Sequence, residues 1–288
     1  MEYIRYCIKC GKEKKYKNLD SFRANKDSLL CRTCASTEKF NKLYPNKLEK
    51  LLDETPETYY WIGYLLADGH IDKNVRIKFT QNNEDKISVE KFAEYIESSC
   101  DVKYSNKKGY DCAEFSVMNH TLIPQITEKF DIKSNKTYCP PKTEIFEKMD
   151  NELLAYLFIG FVDGDGHIAN LHNRKDFNLR IKIHSSWIDI LKIFEERLFN
   201  LSGYAKINKQ GYAELVISNT QILKQFKQKY LTNINFEPLH RKWKIIDLNF
   251  IGKYEYAQKS FLQVKELYEQ GYSVNEICKK LNFKEGIV

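Results

Sequence analysis

Two stretches of the chain are apolar almost all the way round. Tyr59, Tyr60, Ile62, Leu65 and Leu66 are the bulky side chains of one, and Tyr156, Leu157, Ile159 and Val162 those of the other. A helix without a polar face belongs in the interior. Both stretches run through a nine-residue pattern, Trp61-Ile62-Gly63-Tyr64-Leu65-Leu66-Ala67-Asp68-Gly69 and Phe158-Ile159-Gly160-Phe161-Val162-Asp163-Gly164-Asp165-Gly166, each followed by His-Ile. Asp68 and Asp165 are 97 residues apart. Two copies predict two similar halves rather than a solenoid. Gly63 and Ala67 stand four residues apart, as do Gly160 and Gly164, so each pair shares a helix face. Glycine costs a helix about 1 kcal/mol relative to alanine, so these glycines need a packing reason. Small residues at this spacing let two backbones approach closely, and the predicted partner of each helix is the other copy.

After each motif the period changes from helical to alternating. Val75, Ile77 and Phe79 alternate with Arg76, Lys78 and Thr80, the pattern of a half-buried strand. An amphipathic helix over 87–98, a hairpin of 102–105 with 113–117 around Lys107-Lys108-Gly109, and a helix over 120–130 follow. The second copy is followed by a hairpin of 168–171 with 178–184, a helix over 187–198, a hairpin of 204–208 with 213–218 around Gln210-Gly211, and a helix over 221–230. The fold class is therefore α+β, with two pseudo-symmetric αββαββα halves, 56–138 and 150–247, in a core at 56–247. The best local parallel sets Ile77-Lys78-Phe79 against Ile181-Lys182-Ile183.

Each motif helix stops at Asp-Gly. Gly69 and Gly166 are expected as left-handed C-caps. The aspartates then sit at the negative end of a helix dipole, where a carboxylate is disfavoured. Pairing the helices brings Asp68 and Asp165 side by side and adds mutual repulsion. A divalent ion with oxygen ligands would relieve both, and magnesium suits a site with few protein carboxylates.

Charge adds a surface to this picture. The net charge is +7, with a net +5 over 1–55, +3 over 241–288 and −1 between them. The positive ends suit nucleic acid. Within the slightly acidic middle, the strand regions 70–80, 101–118, 168–184 and 203–217 hold twelve Lys and Arg against six Asp and Glu. A two-stranded ribbon fits the major groove, so the sheets are expected to form a DNA-binding saddle. Arg76, Lys78, Arg180, Lys182 and Lys206 are the candidate contacts to phosphate or bases.

The repeated stretch resembles the defining motif of the LAGLIDADG homing endonucleases, closely at FIGFVDGDG and, with Leu66 where an acid is common, at WIGYLLADG. Over roughly 55–247 the resemblance implies a monomeric, two-motif, site-specific DNA endonuclease. Its metal-binding catalytic acids would be Asp68 and Asp165, sharing two or more magnesium ions. It would make a double-strand break with short 3′ overhangs. The resemblance further implies a basic residue after the last helix of each half, Lys136 and Lys242, and a water-orienting residue at the end of each second strand, Gln81 and, by the parallel above, Ser185. Three other readings share the fold. A maturase would bind intron RNA. A DNA-binding regulator would not need both acids. An intein is disfavoured because the chain neither begins with a nucleophile nor ends in His-Asn.

The ends carry their own motifs. Cys7-x2-Cys10 and Cys31-x2-Cys34 have the spacing of a four-thiolate structural zinc site. They define a module over 1–45 that resembles a treble-clef finger, joined to the core by a charged linker at 46–55. Cys100, Cys112, Cys139 and Cys278 lack such spacing and read as ordinary small side chains. Beyond Asp247, helices over 256–270 and 274–281 are expected, the second opened by a Ser273–Glu276 capping box. The segment 256–288 resembles the first two helices of a helix-turn-helix with 282–288 as the turn and the start of a recognition helix, the alternative being a packing appendage. No apolar run reaches the roughly 18 residues of a membrane span, and no signal peptide opens the chain. A soluble, cytoplasmic protein of a phage, bacterial or organelle genome is expected.

Overall fold

The computed structural model describes residues 3–9, 11–25, 28–43, 45–82, 84–107, 109–171, 176–248 and 253–281. Near the N-terminus, β1 (Tyr3–Tyr6) pairs antiparallel with β2 (Glu13–Tyr16), and α1 (Leu19–Ala24) and α2 (Arg32–Leu43) follow. A 3-10 turn at Leu48–Leu52 leads into the first motif helix, α3 (Pro56–Ala67). Pro56 suits the first helical position, and Thr55 Oγ1 accepts the Thr58 amide at 3.2 Å.

The first half continues as β3 (His70–Asp72), β4 (Arg76–Asn82), α4 (Lys86–Tyr95), β5 (Lys103–Lys107), β6 (Tyr110–Met118) and α5 (Leu122–Lys129). A short α6 (Thr143–Lys148) precedes the second motif helix, α7 (Asn151–Asp165). Then come β7 (Gly166–Leu171), β8 (Asp176–His184), α8 (Ile188–Phe199), β9 (Ala205–Ile207), β10 (Tyr212–Ile217) and α9 (Thr220–Tyr230). Each half thus has the order αββαββα. Each contributes a four-stranded antiparallel sheet of the same topology, β3-β4-β6-β5 and β7-β8-β10-β9. Gly109 (φ +85°) and Gly211 (φ +81°) turn the chain inside the second hairpin of each half, in a backbone region that side chains avoid.

The core follows from these patterns. Ile77 and Phe79 of β4 and Leu179 and Ile181 of β8 are buried, whereas Arg76, Thr80, Arg180 and Lys182 are exposed. Behind the first sheet Phe79 meets Phe92 of α4 with ring centroids 4.6 Å apart. Behind the second, Phe158 of α7 meets Phe194 of α8 at 5.1 Å.

Between the sheets α3 and α7 pack backbone to backbone. A Cβ on Gly63 would lie 1.8 Å from the Leu157 carbonyl oxygen, and one on Gly160 would lie 1.9 Å from that of Tyr60. The helices can meet only where side chains are missing. The glycines that end the motifs serve a different purpose from the one expected. Neither Gly69 nor Gly166 has a positive φ, and Gly166 is extended at φ −83°, ψ 158°. A Cβ at Gly69 would sit 2.8 Å from the Leu65 backbone, and one at Gly166 would sit 2.7 Å from that of Val162. The chain folds back against its own last turn, which excludes a side chain without any left-handed cap.

After α9 the chain crosses back over the first half. Lys91 of α4 bonds the Glu237 carboxylate at 2.8 Å. Arg241, in the single turn α10 (His240–Trp243), grips the nearly buried Asp85 through Nε at 2.5 Å and through a second guanidinium nitrogen. The last elements are α11 (Lys253–Glu269) and α12 (Val274–Leu281), joined through Gly271 at φ +88°. Ser273 donates its amide and its hydroxyl to Glu276, at 2.8 and 2.6 Å. The expected recognition-helix start, 282–288, lies outside the described residues. Among the described residues no helix is long and apolar enough to cross a membrane.

Candidate active site

Because α3 and α7 touch along their glycine faces, their C-terminal ends lie together. A Cβ on Gly164 would come within 3.4 Å of the Asp68 carboxyl carbon. Asp68 and Asp165, both exposed, therefore share one small region. Burial by the surrounding residues and then the neighbouring Asp68 push the Asp165 carboxyl up to about 6, against the pull of Lys136 and Lys242. A carboxyl with such a shift beside a second acid marks a functional-site candidate.

The expected lysines stand at the helix ends. Lys136 is buried and donates to the Ala67 carbonyl at 2.8 Å. Lys242 is buried and donates to the carbonyls of Val162, Asp163 and Gly164 at 2.9, 2.6 and 3.0 Å. Each ammonium satisfies carbonyls that a helix C-terminus leaves open and offsets the negative dipole end. Burial pushes both lysines below the ordinary lysine value. Asp165 and Asp68 oppose this at Lys136, and Asp163 and Asp68 oppose it at Lys242.

Gln81 reaches the site at the end of β4. Its Nε2 donates to Asp68 Oδ2 at 2.6 Å and to Tyr64 Oη at 2.7 Å. Tyr64 shares a 2.6 Å bond with Ser88 Oγ, whose proton goes to the Asp85 carbonyl at 2.7 Å. The donors therefore run in one direction and fix which end of the amide faces Asp68.

Ser185 is not the counterpart of Gln81. In the two sheets Ile71↔Ile77 corresponds to Ile168↔Leu179, and Phe79↔Phe115 corresponds to Ile181↔Leu215. Gln81↔Ala113 then corresponds to Ile183↔Ala213, which puts Ile183 in Gln81's place. Ser185 lies past the end of β8 in the 3-10 turn Ser185–Trp187.

The basic strand residues point outward, several of them already paired. Arg76 is 3.8 Å from Asp72, and Lys78 is 3.0 Å from Glu114. Arg180 Nε donates to Glu214 at 2.6 Å. Lys182 bonds Gln210 at 2.5 Å and lies over the Tyr212 ring, and Lys206 is exposed on β9. An exposed pair such as Arg76–Asp72 contributes about 0–1 kcal/mol, so opening it toward a polyanion costs little, whereas Glu214 is buried and holds Arg180 more firmly.

Asp163 was not among the expected site residues. It replaces the Leu66 of the first motif and is 1% exposed. It accepts from Tyr60 Oη at 2.9 Å, the Leu239 amide at 2.7 Å and Trp243 Nε1 at 2.7 Å. These bonds hold the segment carrying Lys242 against α7. The signal was available: an acid in an otherwise apolar helix must find donors.

At the N-terminus Cys7, Cys31 and Cys34 converge, their sulfurs all within 4.8 Å of one another and all three residues buried. The turn after β1 is closed by Gly11 (φ +67°), whose amide bonds the Cys7 carbonyl at 2.9 Å. The start of α2 supplies Cys34, whose amide donates to Cys31 Sγ at 3.4 Å. Three converging thiols suit a tetrahedral thiolate site. Cys10 lies outside the described residues.

No family model matches the chain. It is 24% identical over 267 residues to the glutamine–fructose-6-phosphate aminotransferase (isomerizing) of Methanocaldococcus jannaschii, across 85% of this chain and 24% of that protein. The chain spans about a quarter or less of the length of the curated relatives it matches. Among solved structures it is similar to the LAGLIDADG homing endonuclease I-GzeII in complex with its DNA target. There the TM-score is 0.42 at 13% identity, over 82% of this chain and 100% of that one. The likeness to the LAGLIDADG homing endonuclease I-LtrWI bound to target DNA has a TM-score of 0.41 at 14% identity, over 74% and 90%. Overlaps this loose say nothing about activity, which has to be read from the chain's own residues.

Proposed function

We propose that the protein is a site-specific DNA endonuclease that hydrolyses one phosphodiester in each strand. The observation that carries this reading is the meeting of Asp68 and Asp165 at the ends of two glycine-notched helices. Each end is capped by a buried lysine, and the outward faces of two sheets are rich in cations.

The two carboxylates offer oxygen ligands that fit a divalent cation of the magnesium class, with the Gln81 amide N–H holding Asp68 rather than serving as a ligand. When bound there, such an ion supplies an activated water and neutralises charge on the leaving oxygen. The chain's own residues do the rest. Asp68 is held by the Gln81 amide, which Tyr64 orients. Lys136 and Lys242 bring fixed positive charge to where the phosphate becomes more negative. The faces carrying Arg76, Lys78, Arg180, Lys182 and Lys206 bind duplex phosphates and base edges. Two acids serving two strands account for a double-strand break, and by the motif resemblance its ends carry short 3′ overhangs. The Cys7, Cys10, Cys31 and Cys34 module holds one structural zinc. Together with the C-terminal helices it lengthens the DNA footprint by linkage.

The test is a pair of variants on DNA duplexes selected by binding to the wild type. Asp68→Asn and Asp165→Asn should each stop cleavage in magnesium while leaving affinity within a few-fold. Loss of binding as large as the loss of cutting would remove the aspartates from catalysis. Unchanged cutting would end the proposal.

A further inference from the structure

The two centres are built differently. At Asp68 the Gln81 amide faces the carboxylate, whereas the register puts Ile183, which has no donor, at the matching position beside Asp165. A cleft of about 450 Å³ opens next to Asp165, and Lys136, Lys182, His184 and Tyr212 line it. Lys182 and His184 are two residues apart on β8, so they share its outward face.

His184 is held from two sides. The Ser186 amide donates to its Nδ1 at 3.3 Å, and Ser186 Oγ lies 3.0 Å from the same nitrogen. Ser186 Oγ has one proton, and it can go to the Thr137 carbonyl at 3.1 Å or to Nδ1. The Tyr138 ring packs edge-on against the imidazole at 4.8 Å. A backbone N–H can only donate, so the Ser186 amide finds its acceptor at Nδ1 in the tautomer that carries the proton on Nε2. Among the described residues Nε2 has no protein partner. With Nδ1 turned to the Ser186 amide, Nε2 unengaged among the described residues and the side chain lining a cleft with Lys136 and Lys182, the ring is arranged to donate to an anion.

We propose that His184 is a further catalytic residue, donating its Nε2–H to a non-bridging phosphate oxygen of the DNA strand cut at Asp165. It supplies at the second centre a neutral donor that Ile183 cannot. The assignment rests on the nuclease reading and makes the two cuts chemically unequal. His184 then acts on one strand only, while Gln81 acts through Asp68 on the other.

The experiment uses the full chain with magnesium on a supercoiled plasmid carrying a site that the wild type cuts, and on the same site with each strand end-labelled. His184→Ala should slow one strand at least tenfold and leave the other within twofold, so that nicked circles accumulate, with duplex affinity nearly unchanged. His184→Gln, which keeps an N–H donor, should restore much of the slow strand's rate. Gln81→Ala should slow the opposite strand. Equal slowing of both strands by His184→Ala, a loss of affinity that accounts for the slowing, or no effect would overturn the assignment. A normal wild-type rate in His184→Ala leaves the nuclease reading intact. A wild type that cuts no DNA removes both.

Discussion

Replacing Gly160 by alanine sets two effects of opposite sign against each other. As a helix residue, alanine is better than glycine by about 1 kcal/mol, so an isolated α7 would gain. In the folded protein the new Cβ would lie 1.9 Å from the Tyr60 carbonyl oxygen, 2.8 Å from its carbon and 2.9 Å from the Tyr64 nitrogen. All three are backbone atoms of α3, so no flexible side chain can swing away. An ordinary contact begins near 3.4 Å. The helices would have to part by roughly 1.5 Å at their closest point, loosening the aromatic packing on both flanks. Inserting a methyl group into a packed interior costs about 1–3 kcal/mol or more, and a backbone neighbour puts this case at the upper end. After the gain in propensity a net loss of about 2 kcal/mol or more is expected, a large share of a typical 5–15 kcal/mol. Urea unfolding at pH 7 measures it, as a lower midpoint with an unchanged slope. Gly211→Ala is the control, because its Cβ meets nothing within 4 Å and only the positive φ of +81° opposes it, at about 1–2 kcal/mol. A Gly160→Ala protein as stable as the wild type would refute the close helix pairing, and with it the meeting of the two aspartates.

Three other outcomes follow from single contacts. Burial raises the Asp163 carboxyl from 3.8 to about 7, so the folded state holds this proton more tightly than the unfolded one. Its contribution to stability is therefore present at low pH and lost as pH rises from about 4 to 7. The difference in unfolding free energy between wild type and Asp163→Asn should follow that slope, and a flat difference would contradict it. Arg241 is half-exposed while Asp85 is nearly buried, so Arg241→Ala should cost about 1–2 kcal/mol, chiefly by leaving Asp85 unpaired. A double-mutant cycle with Asp85→Asn should show coupling of roughly 1 kcal/mol, and additive losses would show that the pair does not join the halves. Metal analysis should find one zinc per chain, absent in Cys31→Ser, with the core's melting temperature unchanged; a chain without zinc, or a core that melts with its loss, would contradict a separate zinc-held module.

The sequence displays the two motif helices plainly, because no other arrangement explains glycines at Gly63, Gly160 and Gly164 inside apolar helices. It also displays the repeated element order, because the switch from helical to alternating period recurs after each copy. The register was harder to read. Setting Ile77-Lys78-Phe79 against Ile181-Lys182-Ile183 is off by two residues, and a two-residue slip preserves which side chains face the core, so alternation cannot detect it. The strand ladders put Ile183, rather than Ser185, in the place of Gln81. The motif-ending glycines were misread for a related reason. Asp-Gly after a helix fits a left-handed cap and a tight fold-back equally well, and the choice depends on how close the next strand lies. The burial of Asp163 could be read from its neighbours, but its donors Leu239 and Trp243 are 76 and 80 residues further along the chain. Likewise Glu114 and Glu214 become partners of Lys78 and Arg180 only once the strands are aligned.

The central claim is that Asp68 and Asp165 make one hydrolytic centre for DNA. The most direct measurement is to incubate an AT-rich genomic library with the protein and magnesium and sequence the broken ends, with Asp68→Asn/Asp165→Asn beside the wild type. Recurrent breaks at one sequence with short 3′ overhangs, absent from the double variant, are the predicted result. Equal breakage by both proteins, or binding to DNA or RNA without any cutting by the wild type, would contradict it.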